Sequence, residues 1–234
     1  MKQVRDTLHG FGFRPHYEAR ELDLMFEKIV VDFLNKKYGK IQFPITTEDL
    51  TTLIEQDVSD LDQYANLSSY GAGVEGLTEF QRNGKPRVKI SEDVHKHENR
   101  LRTTLTHEYG HVRLHAYLFA LEERQLKLES GRKANAIYCK RDTMRPAGNK
   151  DWMEWQAGYV CGAMLMPKSN VTRRIGSLQK ELGVYGPIPA VSANGQTLIQ
   201  AVMKDFAVSQ DAARVRLSVL GMLGAETAMR SLFS

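Results

Sequence analysis

Residues 101–119 read LRTTLTHEYGHVRLHAYLF, and this stretch predicts the helix around which the rest of the fold is organised. Apolar residues recur in it at helical spacing and form a stripe, which indicates that the helix is buried. The stripe consists of Leu101, Leu105, Val112 and Phe119. Gly110 lowers helix stability by about 1 kcal/mol relative to alanine. Its presence inside the helix indicates that another element packs closely there.

The same helix carries His107, Glu108 and His111. Two histidines four residues apart on a helix project from the same side, so both imidazoles can reach one metal ion. Glu108 follows the first histidine directly and is placed to contact a water molecule bound to that ion. This arrangement is the HExxH motif of zinc hydrolases, in which the glutamate is the general base. The spacing therefore predicts a metal site that needs one further protein ligand.

Residues 151–167, DWMEWQAGYVCGAMLMP, predict a second helix that begins after Asp151 and ends at Pro167. Glu154 shares one face of this helix with small residues, which would let the two helices approach closely. A catalytic zinc ion takes three protein ligands and leaves the fourth position to water, so we predict Glu154 as the third ligand. The alternative is a capping box, because Asp151-x-x-Glu154 also has the spacing of a reciprocal N-cap.

The composition of the 234-residue chain, 42% hydrophobic and 26% charged, is typical of a soluble globular protein. No apolar run approaches the roughly 18 residues that a membrane span requires. We see no secretory signal, and the two cysteines, Cys139 and Cys161, form no CxxC pair. A cytoplasmic protein with structural thiols is therefore expected. The net charge of +4 permits binding to nucleic acid or to an acidic partner without requiring it.

Two amphipathic helices are predicted before the central stretch, at residues 17–37 and 48–56. Thr46 or Thr47 is the expected N-cap of the second helix. Both helices are interpreted as scaffold.

A small antiparallel sheet is predicted from residues 73–80 and 87–91. Asn83-Gly84 between them favours a tight hairpin turn, because both residues tolerate positive φ angles. An exposed edge of this sheet could hold an extended peptide by backbone pairing. The alternative is a hairpin that only covers the core.

Three further histidines lie near the motif, and none is predicted to be a metal ligand. His95 and His97 occur in a charged segment that resembles a solvated helix entry. His115 lies two helical turns from His107, ~12 Å away, so the two cannot share one ion. We expect His115 to be a core residue or one that supports a ligand. Residues 122–150 are predicted as a long surface excursion with a role in substrate access.

The chain resembles the ImmA/IrrE family of metallo-endopeptidases over nearly its whole length. Residues 100–115 are similar to the family block RxxxTxxHExGHxxLH, and residues 154–167 to its block E-x-x-A…L-x-M-P. The extended motif of the metzincins does not fit, since Leu114 and Tyr117 stand where that motif has Gly and His. Departures from the family pattern include Gly158 and the long insertion at 122–150.

This resemblance implies an α+β fold whose catalytic domain, residues 1–167, is zincin-like and mostly helical with a small antiparallel sheet. It implies one Zn²⁺ per chain, bound by His107, His111 and Glu154, with Glu108 as the catalytic base. The expected substrate is a protein inside bacterial cells, such as a helix-turn-helix repressor that silences a mobile element. No residue is assigned to stabilise the oxyanion, although Tyr159 and His115 are candidates.

The C-terminal region, residues 168–234, is predicted to be helical. Helices are expected at 169–182, 196–207 and 210–220, and the last two have the shape of a helix-turn-helix. Their positive charges are Lys204, Arg214 and Arg216. The alternatives are a plain helical hairpin, or a DNA- or protein-binding regulator that retains a structural metal site. The intact Glu108 favours the enzyme, because a purely structural site would have no use for that carboxylate.

Overall fold

A computed structural model describes residues 1–81, 84–126, 136–140 and 151–224, with side chains omitted at 122–126 and 136–140. Seven α-helices and several short strands occur within these residues, which confirms the predicted α+β class. The chain divides into two compact units. The first comprises Met1–Ile41 and Ile45–Met164, and the second comprises Gln42–Pro44 and the chain from Leu165 onward. The predicted boundary at 167 falls close to this division.

The first unit contains four helices and six strands among the described residues. Its helices are α1 (Ala19–Tyr38), α2 (Thr47–Glu55), α3 (Glu98–Leu126) and α4 (Trp152–Leu165). Its strands are β1 (Lys2–Arg5), β2 (Phe13–His16), β3 (Asp60–Ala65), β4 (Val74–Glu79), β5 (Arg87–Ser91) and β6 (Ala136–Lys140). All four predicted helices of this unit are confirmed.

The sheet beside α3 has the strand order β3-β5-β4-β6. Strands β4 and β5 pair antiparallel as predicted, and β3, which was not predicted, pairs with β5 in parallel. Strand β6 pairs antiparallel with β4 and comes from the stretch predicted as a surface excursion. The predicted turn at Asn83 lies outside the described residues. Both edges of β4 are therefore paired, which leaves it no open edge for a peptide.

Local signals determine where α1 and α2 begin and end. Glu18 and Glu21 form a capping box at the start of α1, and Gly39 ends that helix in the left-handed conformation with φ of 67°. The Thr46 hydroxyl accepts a hydrogen bond from the Asp49 amide at 3.0 Å and so caps α2. Both helices bury their apolar stripes in the core of this unit.

Helices α3 and α4 approach each other at Gly110, as its position in the sequence predicted. A Cβ atom added there would lie 2.9 Å from Cα of Ala157 and 3.3 Å from its Cβ. These separations are shorter than an ordinary carbon–carbon contact of about 3.5–4.0 Å. Any larger residue at position 110 would push the two helices apart. Gly158, by contrast, has no atom within 4 Å of its would-be Cβ.

The two glycines give a matched test of this packing. Gly158→Ala is expected to raise the free energy of unfolding by about 0.5–1 kcal/mol, because alanine is the better helix former and its methyl group meets no neighbour. Gly110→Ala is expected to lower it by about 1–3 kcal/mol, because overpacking outweighs that gain. Denaturant unfolding of the two variants would measure both effects. Equal stabilisation by the two substitutions would contradict the close approach.

The second unit contains α5 (Lys168–Glu181), α6 (Ala193–Phe206) and α7 (Gln210–Val219), with short strands β7 (Ile188–Pro189) and β8 (Leu223–Gly224). The three predicted helices are confirmed, and Ser209 caps α7 by accepting from the Ala212 amide at 3.2 Å. Phe43, in the short segment that joins this unit, packs its ring 5.5 Å from the ring of Phe206.

The positive charges of the α6–α7 hairpin are not arranged as a basic face. Arg216 is buried, and its Nε donates to the Met166 carbonyl at 3.0 Å. Arg216 therefore adds charge to the hairpin but not to its surface. Arg214 lies 3.8 Å from the carboxylate of Asp211. None of the described helices is long and apolar enough to cross a lipid bilayer.

Candidate metal centre

Three predicted ligands meet where α3 packs against α4. Nε2 of His107 lies 3.1 Å from Nε2 of His111. One carboxylate oxygen of Glu154 lies 3.3 Å from the first nitrogen, and the other lies 3.4 Å from the second. Both histidines are completely buried, and the Glu154 side chain is 13% exposed. This group can hold a metal ion.

The spacing of the ligand groups is compatible with a tetrahedral metal ion. The edge of a tetrahedron is about 1.6 times its centre-to-corner distance, so metal–nitrogen and metal–oxygen bonds of about 2.0–2.1 Å, as zinc makes, require ligand atoms about 3.3 Å apart. The two imidazole nitrogens are 3.1 Å apart, and they lie 3.3 and 3.4 Å from different oxygens of Glu154. Two imidazole nitrogens also disfavour Ca²⁺ and Mg²⁺, which prefer oxygen ligands. The residues present therefore fit a transition-metal ion, zinc among them.

The Glu154 carboxylate faces the histidines instead of completing a capping box. Asp151 alone caps α4, since its Oδ1 accepts from the amides of Met153 and Glu154 at 2.9 and 3.3 Å. Burial by itself raises the pKa of Glu154, but hydrogen bonds and charges from His107 and His111 outweigh burial and bring the pKa well below its ordinary value. The carboxylate is thus ionised, as a metal ligand must be.

Glu108 lies beside this group and is completely buried. Its Oε2 accepts a hydrogen bond from the Thr78 hydroxyl at 2.5 Å, whereas its Oε1 has no hydrogen-bond partner among the described residues. Burial raises the pKa of Glu108, and the nearby histidines and Thr78 oppose that shift. One carboxylate oxygen is therefore held in place and the other is available to a water molecule.

Strand β4 makes room for that carboxylate. A Cβ atom on Gly76 would lie only 2.8 Å from Cγ and Cδ of Glu108, so no other residue fits at position 76 without moving Glu108. The preceding residue, Glu75, forms an ion pair with Arg100 in the first turns of α3. Sequence reasoning missed Gly76, although a glycine inside a strand often marks a close approach.

A chain of hydrogen bonds leads away from His111. Its Nδ1 lies 3.0 Å from Nδ1 of His115, and Nε2 of His115 lies 3.0 Å from Oε1 of Gln156. The Gln156 amide in turn donates to the Pro15 carbonyl at 3.1 Å. Burial lowers the pKa of His115 well below its ordinary value. His115 is thus a buried residue in contact with a predicted ligand, as expected, and Gln156 was not predicted.

The other residues that the sequence analysis named as candidates form hydrogen bonds or ring contacts with residues other than Glu154. The Tyr159 hydroxyl donates to Asp23 at 3.0 Å, and His115 contacts His111 and Gln156. Neither is therefore placed to steady an oxyanion. His95 stacks on Tyr64 and contacts the Gln63 carbonyl.

Cys161 is a buried free thiol. The side chains of residues 122–150, including Cys139, lie outside the described part of the chain, so the predicted role of this stretch in substrate access stays a prediction.

Comparison of the chain with protein-family models and with curated proteins found no match in either.

Proposed function

We propose that this chain is a zinc-dependent endopeptidase that resembles the ImmA/IrrE family. The observation that carries the proposal is the grouping of two imidazole nitrogens and the Glu154 carboxylate, with separations of 3.1–3.4 Å, beside a separate, buried carboxylate. Structural zinc sites usually have four protein ligands, whereas catalytic sites have three and an open position. Three ligands are grouped here within the described residues. This arrangement favours a catalytic ion over a structural one.

Each residue has a distinct role in the proposed reaction. Zinc, when bound, lowers the pKa of a coordinated water toward about 7 and polarises the scissile carbonyl. His107, His111 and Glu154 hold the ion. Glu108 accepts a proton from the attacking water and delivers it to the departing amine. Thr78 fixes one oxygen of Glu108 through the 2.5 Å hydrogen bond, and the other oxygen has no hydrogen-bond partner among the described residues.

The proposed substrate is a cytoplasmic protein, and the family resemblance favours a helix-turn-helix repressor. Zinc-loaded protein would be incubated with repressors encoded near its gene and, in parallel, with a peptide library derived from a bacterial proteome. New N-termini would be identified by mass spectrometry, with Glu108→Gln protein as the matched control. We expect cuts that only the unmodified protein makes. Absence of cleavage in both substrate sets, or equal cleavage by the control, would overturn the proposal.

Gly76→Ala should separate metal binding from catalysis. The added methyl group would overlap the Glu108 side chain and displace it, while the three ligands stay in place. A misplacement of about 1 Å at a catalytic group can cost roughly 10²-fold in rate. We therefore expect near-normal zinc content, measured by elemental analysis, with a rate of peptide hydrolysis lowered by roughly that factor.

Gly176→Ala is the control for this variant, because its Cβ would meet no atom within 4 Å. It should leave both zinc content and rate unchanged. A Gly76→Ala protein that hydrolyses peptides at the normal rate would show that the position of Glu108 does not limit the reaction.

A further inference from the structure

We propose that Gln156 and His115 are positioning residues that hold His111 in the tautomer able to bind a metal ion. Neither residue touches the proposed ion. Hydrogen bonds link them in series, from the Pro15 carbonyl through Gln156 and His115 to His111. The chemistry of each group determines whether it donates or accepts in this series. The inference rests on the metal site proposed above, but it concerns the protons of this chain and not the reaction.

The series begins at the Pro15 carbonyl, which can only accept. Gln156 approaches it at 3.1 Å and must therefore present its NH₂ group. The opposite end of the same amide, Oε1, then faces His115 at 3.0 Å. A flipped amide would put two acceptors together at Pro15, so the carbonyl determines the orientation of Gln156.

The second step concerns the ring of His115. The Gln156 oxygen can only accept, so Nε2 of His115 carries a proton. His115 is completely buried, and a neutral imidazole carries a single ring proton. Its Nδ1 is then a bare acceptor. The ring of Trp152 packs edge-on at 5.4 Å and 88°, which holds the plane of His115.

The last step reaches the ligand. The bare Nδ1 of His115 lies 3.0 Å from Nδ1 of His111, which must therefore be the donor. With Nδ1 of His111 as the donor, its Nε2 is the nitrogen left to bind an ion, and this Nε2 is the atom that faces His107 and Glu154. Metal-binding histidines usually donate their second ring N–H to a carboxylate, carbonyl or water. Here the acceptor is another histidine, whose tautomer depends in turn on Gln156.

The direct test is ¹⁵N NMR of the histidine rings in zinc-loaded protein, because protonated, metal-bound and bare ring nitrogens have different chemical shifts. We expect His111 to carry its proton on Nδ1 and His115 to carry its proton on Nε2. A proton on Nε2 of His111, or on Nδ1 of His115, would overturn the proposal. This readout requires no peptidase activity, so the proposed function can fail while the inference stands.

A double-mutant cycle tests whether the residues act in series. Gln156→Leu and His115→Phe should each lower zinc affinity by roughly 10–100-fold, measured by competition with a chelator. The double variant should lose no more than His115→Phe alone, because Gln156 acts only through His115. Losses that multiply in the double variant would indicate independent packing effects and contradict the series.

Met153→Leu is the matched control, since Met153 is buried on the same helix and takes no part in these hydrogen bonds. It should leave zinc affinity unchanged. Should either single variant fail to fold, as judged by circular dichroism, the NMR measurement on the unmodified protein decides alone.

Discussion

Glu108→Gln is expected to lower the rate of peptide hydrolysis by roughly 10²–10⁴-fold, which is the usual cost of losing a general base. Glutamine keeps the size of the side chain and can still accept a hydrogen bond from Thr78, which lies 2.5 Å from the Glu108 carboxylate. It cannot take a proton from water. The fold and the metal should therefore be retained while the chemistry is lost. Hydrolysis of a peptide identified as a substrate would be compared at matched zinc content.

Two controls make this result specific. Zinc content by elemental analysis should stay near one equivalent, and the free energy of unfolding should not fall, because a buried carboxyl group with a raised pKa is replaced by a neutral amide of similar shape. Activity within a few-fold of the unmodified protein would show that Glu108 is not the base.

Glu154→Gln is expected to weaken zinc binding by more than the roughly 10–100-fold typical of losing an outer partner of a ligand. The Glu154 carboxylate lies 3.3 and 3.4 Å from the two histidine nitrogens, so it is the anionic member of the group. A neutral amide oxygen is a poor replacement on a dication. Competition with a chelator would measure the change in affinity.

Asp151→Ala is the control, because it removes the cap of α4 without touching the ligands. It should lower the free energy of unfolding by about 1 kcal/mol and leave zinc bound. If Glu154→Gln retained zinc as tightly as the unmodified protein, the third ligand would have to be sought elsewhere.

The helices could be predicted because their signals are local. Apolar spacing and caps such as Thr46 and Ser209 gave the helices to within a few residues, except that α3 runs on to Leu126, into the stretch predicted as a surface excursion. Strands β4 and β5 were also predicted, but the other short strands were not. Strand β3 has the sequence DLDQYA and is largely exposed, so its parallel pairing with β5 depends on the tertiary structure and not on a local hydrophobic pattern.

Part of the candidate site could also be predicted from the sequence, and part could not. His107 and His111 lie one helical turn apart, so their convergence could be read from spacing alone. Glu154 was identified less directly, from its place beside small residues on the second helix and from the need for a third ligand. Thr78 and Gln156 carried no local signal, since they reach Glu108 and His115 from 30 and 41 residues away. The burial of Arg216 could not be predicted either, because burial of a long cationic side chain depends on its tertiary contacts.

The contact between Gln156 and Pro15 joins residues 141 positions apart in the chain. During synthesis, strand β2, which contains Pro15, and the helix with both histidines leave the ribosome well before Gln156 does. The paired histidines then exist for a time without Glu154 and without the residues that orient His111. Selective, tight loading with metal should therefore follow the arrival of α4, as a late event in folding. A nascent chain arrested before position 151 should bind zinc far more weakly than the complete chain.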